Sequence, residues 1–351
     1  MRTKRIIVVT GFLILVAITA TCSECYAQKD HIDAFRDVGM GRGLTVFHAA
    51  DNSGDLPKLI KGSAVIDLYD DYAVMKDRYI LLNGTDKVLK MSCGLPKSGY
   101  FQTSIIDSVK FLPLSYLAIT LNGQMVSSSG GQVADSLTEN ERSRGIREWY
   151  ISNLKLRPGK SVLEVSYLVN THDAKMISGH NIEHSHGLGY MLSTLNSWNG
   201  QADYRILIIS KLTGGEPMQG IYPLHGFKTS GNKYVYDLKL SRDAVPHNIV
   251  IRYGNVSMYS PKHKSHIQGV TDPGQMIGEL NRIDPWNIKA DNYHPVYLDN
   301  FRPFPSASFS IGGTILAFAL LIGTVLFFII RSGMGQIRQM NREKEDRDSI
   351  T

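Results

Sequence analysis

"SVLEVSYLV", residues 161–169, decides the fold class. Leu163, Val165, Tyr167 and Val169 alternate with Glu164 and Ser166. Successive side chains of a strand point to opposite faces, so the alternation gives one apolar and one polar face. "KYVYDLKL" (residues 233–240) repeats it, with Tyr234, Tyr236, Leu238 and Leu240 set against Lys233, Asp237 and Lys239. "DYRILIIS" (203–210) and "NIVIRY" (248–253) add runs rich in the β-branched residues that strands favour. Asn122-Gly123 separates two short extended runs and tolerates the positive φ angles of a tight hairpin. Gly231-Asn232 and Asn83-Gly84 give similar turn signals. Strands and turns at this spacing predict an all-β ectodomain. The expected form is an antiparallel β-sandwich, immunoglobulin-like or related, rather than a βαβ fold.

Helix is scarce outside the C-terminal apolar run. "LTENERSRGIREW" carries Thr138 and Glu141 at capping-box spacing, but Gly145 weakens it. "SSSGGQ" and the charged run after it interrupt the β pattern. Two β-rich subdomains are therefore expected, at residues 61–135 and 136–255. Residues 28–60, including the glycine-rich "GMGRG", read as a flexible start to the mature chain. Residues 256–308 read as an irregular segment and a stalk ending in "FRPFPSAS".

The two ends fix the compartment. Arg2, Lys4 and Arg5 precede an apolar run from Ile6 to Ile18, and Cys25-Tyr26-Ala27 suits signal-peptidase cleavage. Residues 1–27 thus read as a secretory signal peptide. Phe309–Ile330 carries no charge and would extend about 33 Å as a helix, enough to cross a bilayer core. Arg331, Arg338 and Arg342 follow, which places residues 331–351 in the cytoplasm and 28–308 outside. The expectation is a single-pass type I protein of a bacterial envelope, facing the periplasm or the exterior. Gly313/Ala317 and Ala319/Gly323 offer small residues through which two spans can pair as a homodimer.

Charge and cysteine usage agree with export. The chain has 38 basic and 32 acidic residues. The leader holds three and one of these and the tail five and four, so the ectodomain keeps 30 and 27, a net of +3. That balance gives no basic stripe for nucleic acid. Cys22 and Cys25 leave with the signal peptide, and Cys93 alone cannot form a disulfide within one mature chain.

The order "AVIDLYDDYAVMKDRYILLN", "CGLP", "WYISNLKLRPGKSVLEVSYLV" and "YMLSTLNSWNGQADYRILI" resembles an uncharacterised family of exported bacterial β-rich proteins. The resemblance covers residues 60–255. It implies an exported β-rich ectodomain, often anchored at its C-terminus, and offers no catalytic residues to carry over. The histidine-rich stretch before Tyr190 lies outside its pattern.

That stretch, "SGHNIEHSHGLGY" (178–190), is the one candidate for metal chemistry. His184 and His186 are two apart and share a face of an extended segment. His180 can fold back over them, and Glu183 can add a carboxylate. His172 lies just upstream. Such a cluster suits zinc or a similar divalent ion; the competing reading is a solvated polar loop. No His-Glu-x-x-His and no Gly-x-Ser-x-Gly occurs. "DLYDD" reads as a turn between strands. Trp198, flanked by Asn196, Asn199 and Gly200, is the aromatic candidate for a ligand groove, such as that of a carbohydrate-binding module. The leading expectation is a non-catalytic, cofactor-free role in protein or ligand binding or envelope assembly. A metal-binding protein or metal-dependent enzyme using His180, His184, His186 and Glu183 is the alternative.

Overall fold

In the computed structural model the described residues are 32–49, 56–131, 146, 148–213, 218–223, 226–241, 246–255 and 272–289. Toward the C-terminus they are 322–323, 326–327, 330–331, 333–338 and 340–342, all helical. The predicted signal peptide, the "LTENERSRG" run and most of the predicted span lie outside them. Among the described residues, no helix is long and apolar enough to cross a membrane. Residues Asp30–Arg302 form one compact unit, and Met1–Lys29 with Pro303–Thr351 another.

The first unit is almost entirely β. Its largest sheet has eight strands: β3 (Lys58–Leu68), β4 (Tyr72–Asn83), β8 (Tyr116–Leu121), β9 (Gln124–Val126), β12 (Gly159–Asn170), β15 (Ala202–Ser210), β17 (Phe227–Ser230) and β18 (Lys233–Leu240). Their spatial order is β17-β18-β15-β3-β4-β12-β8-β9. Seven strands form a second sheet: β1 (Ala34–Arg42), β6 (Gly99–Phe101), β7 (Val109–Phe111), β13 (Ala174–Ser178), β14 (Asn181–Met191), β16 (Met218–Tyr222) and β19 (Ile249–Asn255). A third holds β2 (Thr45–Ala49), β5 (Leu89–Pro96), β10 (Ser129–Gly131) and β11 (Trp149–Leu156).

Alternation predicted the inward face of β12 correctly. Leu163, Val165, Tyr167 and Val169 are each at most 1% exposed and lie in the main core. That core draws on all three sheets, through Ile66 and Met75 of the first, Tyr190 and Ile251 of the second, and Met91 and Leu154 of the third. The unbroken apolar run of β15 has its own cause. Ile206 and Ile208 enter the main core, while Leu207 and Ile209 enter a second cluster on the opposite face. A strand covered on both sides needs no polar face. The cover is α1 (Pro273–Leu280), whose Leu280 packs with Val65, Val74, Leu207 and Val235. Asp272 caps this helix by accepting from the Gln275 amide at 3.0 Å. The hairpin turn joining β8 to β9 has φ of 50° at Asn122 and 78° at Gly123, as the sequence signal requires.

A carboxyl group lies at the centre of this apolar core. Asp77 of β4 is fully buried. Tyr190 donates to its Oδ1 at 2.8 Å, and Tyr167 and Tyr79 to its Oδ2 at 3.0 and 3.3 Å. Tyr190 also meets Tyr204 at 2.8 Å. Two of these phenols reach on to the backbone, where the Arg42 and Leu44 amides donate to Tyr167 and Tyr79 at 3.0 and 3.1 Å. The network joins β4, β12, β14 and β15 to the segment between β1 and β2. Burial pushes the Asp77 carboxyl up to about 7, against the pull of its three phenol donors.

Four expectations need correction. The sheets are mixed: β1 pairs in parallel with β14 and β7, and β15 with β3. Alternation shows which way a side chain faces but not the direction of the neighbouring strand. Residues 61–135 and 136–255 share sheets, since β12 pairs with β4 and β8, and β11 with β5. Residues 34–42 and 45–49 are strands, not a flexible lead. Within "GMGRG", the glycines let side chains approach closely: a Cβ on Gly41 would lie 2.5 Å from the Tyr190 ring. Arg42 beside it is fully buried, with its guanidinium 4.7 Å over Phe111. Within the segment read as irregular, residues 273–280 are helix.

Candidate functional site

Among the described residues of the first unit, two places bring chemically capable side chains together. One is a groove between the end of α1, with the segment that follows it, and the outer face of the eight-stranded sheet. After α1 the chain makes a 3₁₀ turn, Pro285–Asn287, capped by Asp284 through the Trp286 amide at 3.0 Å. Arg205 of β15 clamps this turn. Its Nη1 donates to the carbonyls of Pro285 and Ile288 at 3.1 and 3.2 Å, while Nε and Nη2 grip Asp237 at 2.6 and 3.1 Å. The Trp286 ring contacts two cations, with Lys61 Nζ 3.8 Å and the Arg205 guanidinium 4.8 Å from its centre. Lys76 bridges Glu164 at 2.8 Å and Asn281 Oδ1 at 2.5 Å. The space enclosed is about 410 Å³, within the range of small-molecule sites. Lys61, Lys76 and Arg78 line it from the sheet side, with Glu164 and Asp284 as the acidic lining residues.

The other place gathers Asp71, His172 and His186, whose ligand atoms lie within 4.8 Å of one another. Three segments build it. Asp71 is in the β3–β4 turn, His172 in the β12–β13 turn, and His186 on β14. The Thr171 amide donates to the Asp71 carbonyl at 2.9 Å, and the Gly187 amide to the Thr171 carbonyl at 2.9 Å. Those two bonds fix the three ligand-bearing backbones side by side. Tyr253 closes the back, stacking on His186 at 5.3 Å and bonding Thr171 Oγ1 and the Tyr69 carbonyl. Opposite Ser185 and His186, β19 bulges at Gly254, whose φ is 56°. His172 Nδ1 is 3.2 Å and His186 Nδ1 3.8 Å from Asp71 Oδ1. Burial lowers the His186 pKa and outweighs the attraction of Asp71, which favours the neutral ring.

Only one of the four residues expected to hold metal is in this group. His180 is exposed. His184 binds Asp173 at 2.5 Å, and Glu183 lies 3.4 Å from Arg252. The reason is spacing: residues two apart on a strand are separated by roughly 7 Å, so each ring finds its own carboxylate. Local spacing does not mark Asp71 and His172 as partners, because their turns are far apart in sequence. The signal was present in "DLYDD" and "NTHD", turns rich in ligand-type side chains.

Trp198 is a core residue that borders only a cleft of about 10 Å³, too small for a sugar. It is 3% exposed, stacks on Tyr79 at 5.7 Å and donates Nε1–H to the Leu44 carbonyl at 2.7 Å. Its flanking turn residues belong to the 3₁₀ segment Ser193–Ser197 and the chain after it. Trp149 is likewise fully buried, against Phe47. Trp286 is the tryptophan that lines the larger groove.

No protein-family model and no curated relative matches the chain. Among solved structures, it resembles a protein of Legionella pneumophila provisionally assigned as nutrient-binding. That likeness has 15% identity and a TM-score of 0.43, over 71% of this chain and 81% of the other. It also resembles the M1 zinc metallopeptidase of Deinococcus radiodurans, at 9% identity and a TM-score of 0.25, over 57% of this chain and 44% of the peptidase. The same peptidase bound to a tripeptide gives 8% and 0.27. The chain thus spans less than half of the peptidase. Likenesses of this size establish neither a family nor an activity.

Proposed function

We propose that the chain is a single-pass type I protein of a bacterial envelope. Residues 28–308 lie outside the cytoplasm, 309–330 cross the membrane and 331–351 face inward. The reading is supported by the charge-free apolar run and the arginines after it. We read the body as a layered sandwich, with the eight-stranded sheet as one layer and the two smaller sheets facing it. A buried cluster drawing on all three sheets supports that arrangement.

The role proposed is non-catalytic binding in the envelope, alone or beside other envelope proteins. The observation that carries it is the groove under α1. Its volume suits a small solute, and Lys61 and Arg78, with the Trp286 ring beside them, suit one bearing a carboxylate or phosphate group. Thermal unfolding of the detergent-solubilised full chain, scanned against a panel of small carboxylates and phosphates, tests this. A hit must raise the midpoint of the wild type and lose its effect in Lys61→Met and Trp286→Ala. A panel without effect, or hits indifferent to both substitutions, would refute the groove as the binding site.

A further inference from the structure

The histidine–aspartate cluster carries chemistry of its own. Ligands about 2.0–2.1 Å from a tetrahedral zinc ion stand about 3.4 Å apart. The two nitrogen–oxygen separations here, 3.2 and 3.8 Å, bracket that value. The Nδ1 atoms of both His172 and His186 are buried and make no hydrogen bond among the described residues. His172 Nδ1 is near enough to Asp71 to bond it and still does not. Buried ring nitrogens without a hydrogen bond are costly, and an ion shared with the carboxylate satisfies both at once. The backbone bonds through Thr171 hold the three segments in place before any ion arrives. Side-chain exposures of 14% for each histidine and 8% for Asp71 leave an approach from solvent.

We propose that Asp71, His172 and His186 bind one divalent transition-metal ion through two imidazole Nδ1 atoms and one carboxylate oxygen. Two imidazoles select zinc and its first-row neighbours over calcium or magnesium, which prefer oxygen. Metal at Nδ1 places each ring's proton on Nε2. Water or a solute completes the shell. The site is separate in sequence and in lining residues from the groove under α1, so either can fail without the other.

The test uses the full-length chain in mild detergent, stripped with chelator and dialysed against zinc. The expected result is about one zinc per chain, with at least about a hundredfold weaker competition against a chromophoric chelator in His172→Ala and His186→Ala. The double variant His180→Ala/His184→Ala keeps the wild-type value. Zinc binding that survives His186→Ala, that is lost only in the double variant, or that stays far below one per chain in the wild type overturns the proposal. X-ray absorption on the zinc-loaded wild type gives a readout free of folding defects. Two imidazoles in the shell support the site, and none or one contradicts it.

Discussion

Replacing Asp77 with asparagine isolates the cost of a carboxyl group buried in the core. In the folded chain Asp77 holds its proton to about pH 7, against 3.8 for an ordinary aspartate. Between those values the folded state binds more proton than the unfolded state, so stability falls as pH rises. The contribution is fully present below pH 4 and gone above pH 7. The displacement corresponds to about 4 kcal/mol. Asparagine keeps the shape and cannot ionise. Its amide oxygen can still accept from Tyr167 and Tyr79, while its NH₂ donates to the Tyr190 oxygen. Urea unfolding at pH values from 4 to 8, followed by tryptophan fluorescence, reads the difference between the two proteins. Groups other than Asp77 cancel in that difference. With a urea slope of about 2–3 kcal/mol per molar, the wild-type midpoint should lose about 1.3–2 M relative to Asp77→Asn across this range. Parallel midpoints from pH 4 to 8 would refute the reasoning, because Asp77 would then titrate alike in both states.

Three further substitutions probe other parts of the fold. Lys211 pairs with Asp67, which is 1% exposed, so Lys211→Met should cost about 3 kcal/mol in chemical denaturation; Asp67→Leu/Lys211→Met should recover most of it. Gly62→Ala should lower stability by about 1–3 kcal/mol, because a Cβ there would stand 2.3 Å from the fixed Tyr204 ring. Trp198→Phe should destabilise by about 1–3 kcal/mol through loss of its hydrogen bond to Leu44, and should leave binding to a glycan panel unchanged.

The β class was legible because alternation is a local property: β12 and β18 show it within eight or nine residues. The hairpin at Asn122-Gly123 was legible for the same reason, since the turn's φ angles demand those residue types. Parallel pairs such as β3 with β15 were not, because the partners lie over 130 residues apart and nothing local marks their direction. The core position of "GMGRG" was hidden by glycine, whose usual meaning is freedom and whose use here is close packing. Histidine spacing drew attention to the right strand and to His186, while His172 comes from the turn before β13 and Asp71 from a turn distant in sequence. The groove was invisible for a similar reason. Lys61, Lys76 and Trp286 meet only once α1 has settled on the outer face.

The central claim is that this β-rich body stands outside the cytoplasm on a single span. Cys93 is buried and burial pushes its thiol up to about 12, so it gives little background to thiol reagents. A cysteine introduced at Met125, 71% exposed at the β8–β9 hairpin, can therefore be compared with one at Arg338 in the tail. In intact spheroplasts a membrane-impermeant maleimide should label Met125→Cys, and should reach Arg338→Cys only after permeabilisation. Labelling of Met125→Cys that also requires permeabilisation would contradict the account.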